Sequence, residues 1–100
     1  MALQIKQNAG VLEINGTLNA QNANSLKNYF EALIEQSNFI IISLNNVIDM
    51  DKSSFDIIIN LYKKALAKNK VFYILSEENQ KVTNLFHSEK MNYLLQNRAA

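Results

Sequence analysis

The sequence predicts an α/β domain, a mixed β-sheet with helices packed on it in the order β-β-α-β-α-β-α. Three observations carry this. Residues 39–44 (Phe-Ile-Ile-Ile-Ser-Leu) and Val71–Leu75 are apolar runs of strand length, as expected of buried strands covered on at least one face. The segments between and after them repeat apolar residues every three or four positions, as amphipathic helices do. Single helices joining strands favour right-handed βαβ crossovers, which lay the helices against the sheet. With no proline, internal repeat or low-complexity linker in 100 residues, one domain spanning residues 1–100 is expected.

Taken in order, Leu3-Gln4-Ile5-Lys6 alternates with period two, and Asn8-Ala9-Gly10 is a turn signal. Residues 11–16 (Val-Leu-Glu-Ile-Asn-Gly) then read as a second strand, so the chain should open with a hairpin. Gly16 can take a positive φ as the chain leaves the sheet. Asn19 or Asn22 can cap a first helix whose inward residues are Ala23, Leu26, Phe30, Leu33 and Ile34. After the strand at 39–44, a second helix carries Phe55, Ile58, Ile59, Tyr62, Ala65 and Leu66 on one stripe and ends near Lys68-Asn69-Lys70. Val71–Leu75 follows. A third helix runs from Glu77 to about Ser88 with Val82, Leu85 and Phe86 inward, and residues 91–97 read either as a short edge strand or as a final helical turn.

Composition removes most function classes. The ten basic and nine acidic residues intermix to a net charge of +1, with no footprint for nucleic acid or an anionic membrane. No cysteine is present, so disulfides and thiolate metal sites are out. Two glycines build neither a phosphate-cradling loop nor a dinucleotide fingerprint. A triad would have to recruit His87, the lone histidine, from the third helix; Asp49, Asp51 and Asp56 lack calcium-loop spacing. We expect no enzyme, no cofactor and no metal. The N-terminus lacks the charged and apolar regions of a signal peptide and no apolar run reaches membrane-spanning length, so a cytoplasmic protein is expected.

What remains is the stretch Val47-Ile48-Asp49-Met50-Asp51-Lys52-Ser53-Ser54-Phe55. It leads from a strand into a helix, where free backbone N–H groups and the positive end of the helix dipole meet. Ser53 with Asp56 three residues on is close to a capping box; Asp51 could cap equally well. An exposed capping serine can also be phosphorylated, adding close to two negative charges. At about 100° per residue, Ser53, Ile57, Asn60, Leu61 and Lys64 form a second, semi-apolar strip running back to the serine. Such a strip is either a docking surface or a second packed face.

These residues resemble the domain shared by sulfate transporters and bacterial anti-sigma-factor antagonists, the STAS family, over roughly residues 3–95. Gly16-Thr17-Leu18-Asn19 is similar to that family's Gly-x-Leu-Asp turn after the second strand. Met50-Asp51-Lys52-Ser53-Ser54-Phe55 is similar to its Asp-Ser-Ser-Gly-Leu turn, and Ile57-Ile58-Ile59-Asn60-Leu61-Tyr62-Lys63 to its apolar helical block ending in Tyr-Lys. Lys52 stands for the first Ser, Ser54 for the Gly and Asn19 for the Asp. The added Ser54 side chain meets a partner that usually finds bare backbone, and Asp56 adds negative charge.

The resemblance implies a protein–protein switch. In antagonists the second serine of the motif, matched by Ser53, is phosphorylated by a kinase-type anti-sigma factor, which the unphosphorylated protein binds. The implied partner surface comprises Asn19, Asp51, Lys52, Ser53, Ser54, Ile57, Asn60, Leu61 and Lys64. The alternative is a STAS interaction subunit of a transporter or stress-signalling assembly that is not phosphorylated.

Overall fold

A computed structural model of the chain describes residues 3–96; the ends of the expected 1–100 domain, Asn97 among them, lie outside the described residues. The hairpin forms as β1 (Gln4–Asn8) and β2 (Val11–Leu18), antiparallel in register Gln4↔Asn15 to Asn8↔Val11. Its loop is Ala9-Gly10, both at positive φ (53° and 80°), the backbone that a two-residue hairpin turn with the sheet's twist requires. Helix α1 (Ala23–Gln36) leads to β3 (Phe39–Ser43), which lies parallel to β2. Helix α2 (Lys52–Ala67) leads to β5 (Val71–Leu75), parallel to β3 in register Phe39↔Val71 to Ser43↔Leu75.

The expected β-β-α-β-α-β-α order is present, with two short strands added. Val47–Met50, read from sequence only as the way into the second helix, is a strand, β4, which pairs with the second half of β2. Residues 91–97 were open between strand and helix. Within the described residues they are both, a 3-10 turn at Asn92–Leu94 and then β6 (Leu95–Gln96) beside β5. The sheet order is β1-β2-β3-β5-β6, with β4 branching from β2. Gly16 sits at the branch with φ 110°, and the register shifts between Gly16 and Thr17. That bulge bends β2 away from β3 and toward β4.

One core joins the layers. Ile40 and Ile42 of β3, Phe72 and Ile74 of β5, and Ile14 and Leu18 of β2 face the helices, as period two demands. Phe72 touches Phe30 of α1 and Tyr62 of α2 edge-to-face, each at 6.3 Å between ring centres, so both helices cover the same sheet face. Helix α3 (Gln80–Ser88) joins through Phe86, 4.9 Å from Phe55. Each such buried aromatic or aliphatic side chain contributes about 1.5–3 kcal/mol.

Three sequence expectations need correction. Leu66, placed on the core stripe, is 60% exposed: the last turn of α2 runs past the cover, beside Tyr73 and Gln96. Helix α3 starts at Gln80 rather than Glu77, because Asn79 caps it by accepting from the Val82 N–H. Asn22 holds the N-cap position of α1 but makes no side-chain cap bond; its side-chain oxygen instead accepts from the Asn19 N–H.

Candidate functional site

Three backbone segments converge at the start of α2. The Asp51 N–H donates to the Leu18 carbonyl (3.0 Å), continuing the β2–β4 ladder and bringing the turn after β2 beside the helix start. Asn19 shapes that turn. Its side-chain oxygen accepts from the Gln21 and Asn22 N–H groups (3.0 and 3.3 Å), while Asn22 Nδ2 donates to the Thr17 carbonyl. Asn19 therefore lies by the site as a turn-builder.

Asp51 is the N-cap of α2, so the Ser53–Asp56 capping box does not form. The Asp51 carboxylate accepts from the Ser54 N–H (2.9 Å) and from the Ser53 hydroxyl (2.8 Å). The Ser54 N–H first, and the Ser53 hydroxyl after it, hold this carboxyl below the ordinary aspartate range, with a smaller pull from the Ala20 N–H. Lys52 occupies the first helical position. Its ammonium bonds Asp56 Oδ1 (2.7 Å), approaches Glu89 Oε1 (3.5 Å) at the end of α3, and lies 5.7 Å from the centre of the Phe55 ring. The bond to Asp56 chiefly raises its pKa. Pairs this exposed orient side chains more than they stabilise the fold.

The two serines part company completely. Ser53 is exposed, whereas Ser54 is sealed from solvent; its hydroxyl makes no hydrogen bond of normal geometry and has only a minor part in holding Asp51 ionised. Ser54 thus cannot touch a partner, which corrects its place in the expected binding surface. Asp49 turns instead to Lys81 (3.7 Å), so Asp49, Asp51 and Asp56 point to three different partners and do not converge. Among the described residues no cluster of histidine and carboxylate side chains could hold a metal, and no helix is long and apolar enough to cross a membrane.

The strip running from Ser53 is partly a packed face. Leu61 is 3% exposed and belongs to the core, which corrects its expected role as an open surface residue; only an edge of it reaches the groove described next. Ile57 is half-buried, and Asn60 and Lys64 are exposed. Helix α1 lies alongside, with Glu31 paired to Lys64 (3.2 Å) and Glu35 to Lys68 (2.5 Å). The strip nonetheless stays open at its upper end, where a groove of about 220 Å³ is lined by Ile57, Asn60, Leu61 and Lys64 from α2 and by Lys27 and Glu31 from α1. The α1 wall was not read from the sequence. Its signal was the spacing of Asn24, Lys27 and Glu31, which share a polar helix face.

The family model of the STAS domain matches residues 1–95. The chain belongs to the STAS domain family. No curated protein sequence matches it. Solved structures are similar to it, at identities that show the fold alone. The anti-sigma factor antagonist SpoIIAA in its unphosphorylated form is 16% identical with a TM-score of 0.78, covering 98% of this chain and 89% of that one. SpoIIAA as the Bacillus cell-fate determinant in its phosphorylated form gives 14% and 0.71, covering 98% and 92%. An anti-sigma factor antagonist of Mycobacterium paratuberculosis gives 19% and 0.70, covering 97% and 86%. The STAS architecture therefore extends over nearly the whole chain.

Proposed function

We propose that this STAS domain is an antagonist-type interaction module: it binds a kinase-type anti-sigma factor through the start of α2 and the adjoining turn, and is released when Ser53 is phosphorylated. One observation carries the reading. Of two adjacent hydroxyls at the helix N-terminus, Ser53 alone is exposed, and it is already oriented by a 2.8 Å bond to Asp51. On this reading the protein acts in the cytoplasm by binding, not by catalysis.

The chemistry follows from Asp51. Its lowered pKa makes it a poor proton acceptor, so it positions the Ser53 oxygen while the kinase supplies the base. Transfer of the γ-phosphoryl group of ATP forms the Ser53 O–P bond and releases ADP, with the hydroxyl proton passing to that base. The product can no longer donate to Asp51. A dianion beside a carboxylate held in its charged form turns outward, and a surface that accepts a neutral hydroxyl rejects it by desolvation and like-charge repulsion. SpoIIAA has been solved both without and with its phosphate, and both forms share this chain's fold. That favours a switch by surface charge over one by refolding.

The test is incubation with the kinase-type anti-sigma factor and ATP, followed by site-resolved mass spectrometry and binding of Ser53→Asp and Ser53→Ala. Phosphate on Ser53, with Ser53→Asp unable to bind and Ser53→Ala still binding, is the expected result. Phosphate only at another residue, or tight binding by Ser53→Asp, sinks the reading.

A further inference from the structure

Helices α1 and α2 run parallel and are laced by rungs four residues apart. Glu35 meets Lys68 and, one turn up, Glu31 meets Lys64. The next rung toward Ser53 falls on residues 27 and 60, and there the pattern breaks. Lys27 replaces the acid and Asn60 replaces the base, so the rung does not close; Lys27 forms no ion pair among the described residues. The groove opens at this break, with Ile57 and Leu61 as an apolar floor and Lys27 on its rim. At about 220 Å³ it is smaller than the ~300–1,000 Å³ usual for small-molecule sites, and suits one or two protein side chains. Ser53 lies one helical turn before Ile57, just beyond the residues that line the groove.

We propose that the open rung is a docking seat for a short amphipathic helix of the anti-sigma factor. That helix lays one or two aliphatic side chains on Ile57 and Leu61 and sets a Glu or Asp carboxylate against Lys27. The proposal rests on the function proposed above and names the part of the partner that is recognised. The unpaired cation selects the acid, and the enclosed floor selects the aliphatic side chain. A phosphate on Ser53 brings a second anion to within one helical turn of the groove, where it opposes the partner's carboxylate.

The test measures binding of the purified kinase-type anti-sigma factor of the source organism, without nucleotide, by titration calorimetry. Lys27→Glu should weaken binding by about tenfold or more, and Lys27→Met should weaken it less while flattening its salt dependence. Asn60→Glu closes the rung within the chain and should weaken binding too, although it adds an ion pair to the fold. An acid-to-Lys change on the partner's helix should restore binding to Lys27→Glu. All three positional variants change exposed residues, and their melting curves are checked against wild type. Unchanged affinity for Lys27→Glu and Asn60→Glu, with Ser53→Asp still unable to bind, overturns the seat and leaves the switch standing. Wild type that binds no kinase-type anti-sigma factor overturns both. A wild-type dimer that Lys27→Glu splits into monomers assigns the groove to a second copy of the chain and overturns the seat.

Discussion

Two helix caps sit at the same end of the sheet and do different work. Asn79 caps α3 and Asp51 caps α2, each accepting from an N–H three residues on. Asn79 uses its remaining capacity inside the fold, where Nδ2 donates to the Leu44 and Val47 carbonyls, both at 2.8 Å, and so fastens α3 to the β3–β4 connection. Asp51 is exposed and spends its spare capacity on a hydroxyl that solvent can reach. The difference teaches how to separate a structural cap from a chemical one. What matters is where the second bond goes.

The comparison can be broken first at Asn79. Asn79→Ala removes a cap and two side-chain bonds to backbone carbonyls, so chemical denaturation should show a loss of about 2–4 kcal/mol. Asp51→Ala, at an exposed cap, should lose only about 1 kcal/mol by the same measurement. Equal losses would erase the distinction.

The acid side sharpens it. The folded-state pKa of Asp51 lies below its unfolded value of about 4, so its contribution is fully present above that value and is lost as pH falls through the lowered folded pKa. Asp51→Asn keeps the cap and removes the titration. Its stability curve should therefore lie below wild type near neutrality and meet it in strong acid. Parallel curves would show that the carboxylate is not held by Ser53 and Ser54. Glu35, lowered by its bond to Lys68, titrates equally in both proteins and cancels.

The smallest effect is the most telling. Ser54→Ala deletes a buried hydroxyl that makes no hydrogen bond of normal geometry and adds a better helix former, so it should be neutral or stabilise by up to about 1 kcal/mol, without changing binding. A clear loss of stability would mean that the Ser54 hydroxyl has a partner, and the contrast between the two serines would weaken.

Much of this was legible because the long apolar runs at β3 and β5 admit one reading, and because helical periodicity locates α1 and α2. Strand β4 escaped notice because it is only Val-Ile-Asp-Met, with its two middle residues exposed and no alternation to detect. Leu61 and Ser54 were misplaced for one reason: Ser54, Ile58, Leu61 and Ala65 follow one another at spacings of four, three and four, forming a single buried line along α2. Reading the serine as polar hid that line. Leu66 failed in the opposite sense, since periodicity gives a face but not how far its cover extends. The α1 wall shows in the sequence only as the polar face of Asn24, Lys27 and Glu31; that this face lies beside α2 is not legible, because sequence does not say which two helices lie side by side.

The branch in β2 has a consequence in time. The β3–β5 ladder holds five paired positions in unbroken register, whereas β4 holds on to β2 through three positions with a shift between them. A short, interrupted ladder at the margin opens in fluctuations far smaller than global unfolding, and its amides trade protons for deuterons accordingly. The Asp51 amide, tied to Leu18, should exchange well ahead of Ile40 or Ile42. The segment presenting Ser53 would then breathe on its own clock, while the sheet beneath it stays closed.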